Sequence, residues 1–117
     1  MQYKTDINFR KQTLVRLLHE LNTQEERILE ALHQDFRKPA FEGVLSETGF
    51  VKSELRATIK NIHAWARPKR VLPSLLNFPT SDFIYQEPYG KVLVIAPWNY
   101  PFQLALCPVI AAVEIGR

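Results

Sequence analysis

The stretch Lys91-Val-Leu-Val-Ile-Ala-Pro-Trp-Asn-Tyr-Pro-Phe102 constrains the fold more than any other part of the chain. Val92 to Ala96 are continuously apolar and rich in β-branched side chains, the pattern of a strand buried on both faces. Pro97 and Pro101 then bracket Trp98, Asn99 and Tyr100 in a tight turn. Proline suits the first position of a helix, where its missing N–H has no partner to lose, so Pro101 predicts a helix start. Strand, turn and helix in that order form the opening of a βαβ unit. The turn falls at the carboxyl end of the strand, where open α/β sheets place their ligands.

Upstream the chain predicts helices. Leu14, Leu17, Leu18 and Leu21 follow the i, i+3, i+4, i+7 spacing of one helix face. Asn22-Thr23 interrupts the pattern, and Thr23 with Glu26 forms a Thr-x-x-Glu capping box, so a second helix is expected to begin there. Glu25 and Glu26 would lie at its positive end. Ile28, Leu29, Leu32 and Phe36 would be its buried stripe, bounded by Pro39. The pair reads as an antiparallel helical hairpin. A third helix is predicted from Phe41 to Ala66 on Val44, Thr48, Val51, Leu55, Ile59, Ile62 and Trp65. Gly43 and Gly49 weaken its first half by about 1 kcal/mol each relative to Ala. Pro68 stops it. The cations Arg67, Lys69 and Arg70 could receive a phosphate or an acidic partner, but a solvated helix end that complements the negative dipole terminus is the plainer reading. Pro68, Pro73 and Pro79 mark a connector, and the alternation from Asp82 to Gln86 predicts a short strand. Residues 1–6 are polar and expected to fray.

Composition excludes several classes. A net charge of +3 without a dense basic stripe does not describe a nucleic-acid binder. Prolines and polar residues break the longest apolar stretch, so no membrane-spanning segment is expected. With Cys107 as its single cysteine the chain forms no internal disulfide, which points to a reducing, cytoplasmic compartment. The histidines His19, His33 and His63 lack ligand spacing, and no metal site is predicted.

Glu87-Pro-Tyr-Gly-Lys-Val-Leu-Val-Ile-Ala-Pro-Trp-Asn-Tyr-Pro-Phe102 resembles the first strand and turn of the NAD(P)-dependent aldehyde dehydrogenases. Its Glu-Pro-x-Gly lead-in and Tyr-Pro-Phe ending resemble the fatty-aldehyde, class 3 branch. The resemblance implies an α/β architecture: an N-terminal helical layer plus the first strand and helix of a Rossmann-like parallel sheet. Residues 1–70 would pack on the cofactor domain, 71–88 would form a β-ribbon for homo-oligomerisation, and 89–117 would open the NAD(P)-binding domain without completing it. The implied reaction is oxidation of an aldehyde substrate to a carboxylic acid with NAD or NADP.

By the same resemblance Asn99 occupies the position of the oxyanion-binding asparagine, while Ile95, Ala96, Pro97 and Trp98 would contact the dinucleotide. On residue chemistry alone, Asn99 also suits turn geometry or helix capping, and Trp98 suits a core. There is no Gly-x-Gly-x-x-Gly among Gly43, Gly49, Gly90 and Gly116, but the family does not use that fingerprint at this strand. Cys107 lies in an apolar helical run and reads as packing, not as nucleophile. Pro108 is expected to kink the same helix. After Val113 the text Glu114-Ile-Gly-Arg117 departs from the family pattern, and the family's nucleophilic cysteine and general-base glutamate lie further downstream. These 117 residues are therefore expected to be inactive alone. The alternative expectation is a non-catalytic helical binding module, or a remnant associating with a full-length paralogue.

Overall fold

Asp6 starts the helical layer by accepting the Asn8 N–H on its carboxylate at 3.1 Å. The computed structural model describes residues 6–87 and 90–115. The expected fraying of residues 1–5 and the Pro88-Tyr89 part of the predicted turn lie outside that description, as do Gly116 and Arg117.

The two helices expected on either side of Asn22-Thr23 are one. Helix α1 runs Ile7–Phe36, 30 residues without a break. The Thr23 hydroxyl donates back to the His19 carbonyl at 3.0 Å, so it serves the helix interior and caps nothing. Each of Asn22 and Thr23 costs the helix only about 0.7 kcal/mol relative to Ala, far less than the packing of the apolar face returns. The helix ends at Arg37, which is left-handed (φ 54°) and donates its N–H to the His33 carbonyl at 2.8 Å.

The third predicted helix forms with an irregularity that shifts its buried stripe. Helix α2, Ala40–Gly43, passes through a π turn, Val44–Thr48, into α3, Gly49–Trp65. In the π turn the Gly49 N–H reaches back five residues to the Val44 carbonyl. Counting back from Val51, the extra residue puts Gly43 on the inward face in place of Val44, expected in the core and exposed here; Thr48 is buried as expected, with Glu47 beside it. A Cβ on Gly49 would lie 2.5 Å from the Val44 carbonyl oxygen, so this turn requires glycine. At Gly43 a Cβ would come within 2.7 Å of Leu29 Cδ2, and the glycine lets α2 lie close against α1.

Helix α4, Pro101–Ile115, begins at the expected proline and runs through Pro108. It closes a core of Leu14 and Leu21 from α1, Val51, Leu55 and Ile62 from α3, and Ile110 from α4. Each such aliphatic side chain, when fully buried, contributes about 1.5–3 kcal/mol.

Two expectations about strands change. The ribbon pairs β1, Lys69–Val71, antiparallel to β2, Asp82–Ile84, with Arg70 opposite Phe83. Lys69 and Arg70 thus belong to a strand, not to a helix end, and Arg70 Nη2 donates to Ser81 Oγ at 3.4 Å. The ribbon's loop exposes Leu72, Leu75 and Leu76 almost completely. It stands off from the helices: the radius of gyration is 18.3 Å, against about 13 Å for a compact chain of this length.

Residues 92–96, predicted as a strand buried on both faces, are unpaired here, and Leu93 and Ile95 are more than four-fifths exposed. A strand exists only with a ladder partner. Among the described residues none lies beside this segment, since the sheet contains β1 and β2 alone.

Replacing Gly49 by Ala tests the π turn. In a regular helix the change would stabilise by up to about 1 kcal/mol. Here the clash with a backbone carbonyl is expected to destabilise by about 1–3 kcal/mol, read as a lowered urea midpoint. An unchanged or raised midpoint would contradict the geometry.

Candidate functional site

Glu47 is fully buried, and both its carboxylate oxygens are engaged. Oε1 accepts from Lys38 Nζ at 2.6 Å, and Oε2 accepts the backbone N–H of Gln103 at 2.8 Å. Gln103 is the third residue of α4, and its N–H is one of the donors that a helix start leaves unpaired. A carboxylate there also meets the positive end of the helix dipole. Glu47 is thus an N-terminal cap delivered to α4 from another helix. The Lys38 ammonium lies 4.6 Å from the Tyr100 ring centroid, within cation–π range. The Tyr100 carbonyl accepts from the Leu104 N–H at 3.0 Å, so the bend runs directly into α4.

A second carboxylate fastens the π turn to α1. Glu25 accepts from Thr48 Oγ1 at 2.6 Å and from Lys52 Nζ at 2.5 Å. The Lys52 bond first, then the Thr48 hydroxyl, holds the Glu25 carboxyl below the usual glutamate range. The expected capping box at Thr23 would have aimed Glu25 at a helix start. The continuous α1 frees it to reach α3.

This framework presents residues 98–100 as a solvent-facing bend. Asn99 and Pro97 are exposed, Trp98 is 80% exposed, and Ile95 is 85% exposed, with Ala96 half-buried. The structure therefore brings Trp98, Asn99 and Tyr100 together at the entrance to α4 and places Ile95, Ala96 and Pro97 on the extended segment leading in. Among the described residues, no backbone group of 91–97 bonds to another backbone group. Trp98 is not a core aromatic in this chain.

Cys107 is half-buried in α4 against the core. Burial, then the charge of Glu54, pushes its thiol pKa up, which disfavours the reactive thiolate. Among the described residues there is no metal-binding cluster of His, Cys, Asp and Glu, and no helix is long and apolar enough to cross a membrane. Sequence reasoning missed Lys38, Glu47, Glu25 and Lys52, because charged residues on a helix are ordinarily solvated. The available signal was the pair Gly43 and Gly49 inside one helical pattern, which marks a departure from regular geometry.

Comparison with known proteins agrees with this architecture. Residues 3–116 match the aldehyde dehydrogenase family. The chain is 41% identical over 116 residues to the 4,4'-diaponeurosporen-aldehyde dehydrogenase of Staphylococcus aureus, covering 99% of this chain and 25% of that protein. It is 39% identical over 109 residues to human aldehyde dehydrogenase family 3 member B1, covering 93% and 23%. The solved substrate-bound state of Staphylococcus aureus AldH superposes with a TM-score of 0.89 at 41% identity, over 95% of this chain and 24% of that one. The chain belongs to the aldehyde dehydrogenase family, and its relatives include class 3 members. It spans about a quarter of the length of these relatives. Its fold is that of the matching quarter of the Staphylococcus aureus enzyme, with the helical layer and α4 in place.

The Glu25 pair makes stability depend on acid. A carboxyl depressed in the folded state stabilises fully above its unfolded pKa, about 4.3, and loses that contribution as pH falls through the lower folded value. Urea midpoints measured from pH 7 to pH 3 should fall more steeply for the native sequence than for Glu25→Gln. Parallel curves would show that Glu25 contributes nothing.

Proposed function

We propose that the polypeptide carrying this sequence is a cytoplasmic NAD(P)-dependent aldehyde dehydrogenase, and that these residues supply its helical layer and the turn that receives the substrate oxygen. One observation carries the reading: Asn99 stands exposed at the tip of a bend fixed from beneath by buried charged groups.

The chemistry asks for such a group. When a nucleophile adds to the aldehyde carbon, the C=O π pair moves onto oxygen and negative charge develops there. A donor already in position stabilises that charge without reorganisation. The Asn99 side-chain amide donates while staying neutral, so its hydrogen bond does not depend on pH. The clamp beneath the bend limits how far the amide can drift, which is the geometric requirement of this kind of catalysis.

Unpaired backbone amides and carbonyls, with an open indole face beside them, are groups that a nucleotide can use, and Ile95, Ala96, Pro97 and Trp98 supply them. These residues fit one wall of a dinucleotide site and would hold the cofactor there. A bound nicotinamide dinucleotide supplies the hydride acceptor. Within these 117 residues the single thiol is Cys107, half-buried and disfavoured as thiolate, so they do not oxidise aldehydes alone. A free-standing binding module is the weaker reading, because the strand-patterned segment 92–96 pairs with no other strand among the described residues, which a self-contained module would provide.

The test is steady-state kinetics with an aldehyde and NAD or NADP. In the full-length polypeptide, Asn99→Ala should lower kcat by about 10²- to 10³-fold, and the 117 residues alone should produce no NADH or NADPH. Full activity in the Asn99 variant, or steady reduced-cofactor production by these residues alone, would overturn the proposal.

A further inference from the structure

We infer that Glu47 is a positioning residue for Asn99, acting through the first turn of α4. This rests on the reading of Asn99 as the oxyanion donor and adds to it the group that fixes where the donor stands.

Glu47 comes from a distant part of the chain and meets the bend from below. Its side chain has no exposure to solvent, and its two oxygens bind different elements: Lys38 Nζ at 2.6 Å from the α1–α2 link, and the Gln103 N–H at 2.8 Å from α4. The Gln103 bond fixes the third residue of α4. The same Lys38 ammonium lies under the Tyr100 ring at 4.6 Å. Asn99 is therefore tied down on its carboxyl-terminal side at Tyr100 and Gln103 by one buried ion pair. Upstream, the segment 91–97 makes no backbone–backbone bond among the described residues, so nothing comparable restrains it from that side.

Helical spacing explains how a glutamate in a helix reaches this place. Glu47 lies four residues after the buried Gly43 and four before the buried Val51, on the inward stripe of the helix, and the π turn falls across it. Glu25 holds the adjacent Thr48 at 2.6 Å and Lys52 at 2.5 Å, so the turn cannot rotate without breaking a second pair. Asn99 is exposed and can touch a substrate, whereas Glu47 is buried and acts only through α4.

The experiment is a double-mutant cycle on kcat in the full-length polypeptide, with Glu47→Gln, Asn99→Ala and the two combined. Loss of the carboxylate should lower kcat roughly ten- to a hundredfold, the scale of a small misplacement of a catalytic group, while KM for the dinucleotide stays within about twofold. The combined variant should match Asn99→Ala alone, because Glu47 acts through a group no longer present. An unchanged kcat in Glu47→Gln, or a combined loss equal to the product of the two single losses, would overturn the assignment and leave the Asn99 reading intact. An active Asn99→Ala enzyme would overturn both.

If Glu47→Gln does not fold, the unaltered enzyme supplies the second measurement. Its Gln103 amide should exchange hydrogen more slowly than the neighbouring Phe102 amide, which lacks a carboxylate cap. Equal exchange would remove the contact on which the inference stands.

Discussion

The buried pair of Glu47 and Lys38 is the interaction on which the arrangement of this chain depends. Two charges taken out of water cost several kcal/mol of hydration each, and their attraction recovers this only with close geometry and further hydrogen bonds. Both conditions are met here: the ions are 2.6 Å apart, the second carboxylate oxygen caps Gln103, and the ammonium faces the Tyr100 ring. Such pairs often add little net stability over a hydrophobic replacement. Displacing α4 would leave the ion pair intact within the helical layer but would strip the second carboxylate oxygen of its Gln103 donor and the ammonium of the Tyr100 ring.

Glu47 lies within a local irregularity. Gly49 permits a π turn that a Cβ would obstruct at 2.5 Å, and Glu47 lies buried within that turn. Glu25 and Lys52 then lock the turn against α1. Helical continuity is thus interrupted at the residue that caps α4. The apolar core of Leu14, Val51, Leu55, Ile62 and Ile110 holds the three long helices together, but it does not determine how the bend meets them.

Much of this was legible from residue pattern. The apolar spacings located α1 and α3, and Pro101 located the start of α4 to the residue. The Pro-Trp-Asn-Tyr-Pro turn located the candidate site. Three features were not legible. The helix break at Thr23 failed because a capping box carries the same residues whether or not the helix continues through it, and the hydroxyl bonded backward to His19. The strand at 92–96 is a pattern that waits for neighbours, and none pair with it among the described residues. The charged clamp was hidden because Lys38 and Glu47 are nine residues apart, and charged residues on a helix are ordinarily solvated.

The surfaces left open follow from the same logic. Leu93, Ile95 and Trp98 are exposed, and this chain spans about a quarter of its relatives' length. The central claim is that a buried glutamate holds the bend in the geometry that oxyanion stabilisation needs. Its most direct test is a crystal structure of the full-length polypeptide with an aldehyde-derived adduct. The account predicts the Asn99 amide nitrogen about 2.7–3.1 Å from the former aldehyde oxygen, with the Glu47 carboxylate still on the Gln103 N–H. An adduct oxygen bound by other donors, or a Glu47 turned away from α4, would contradict it.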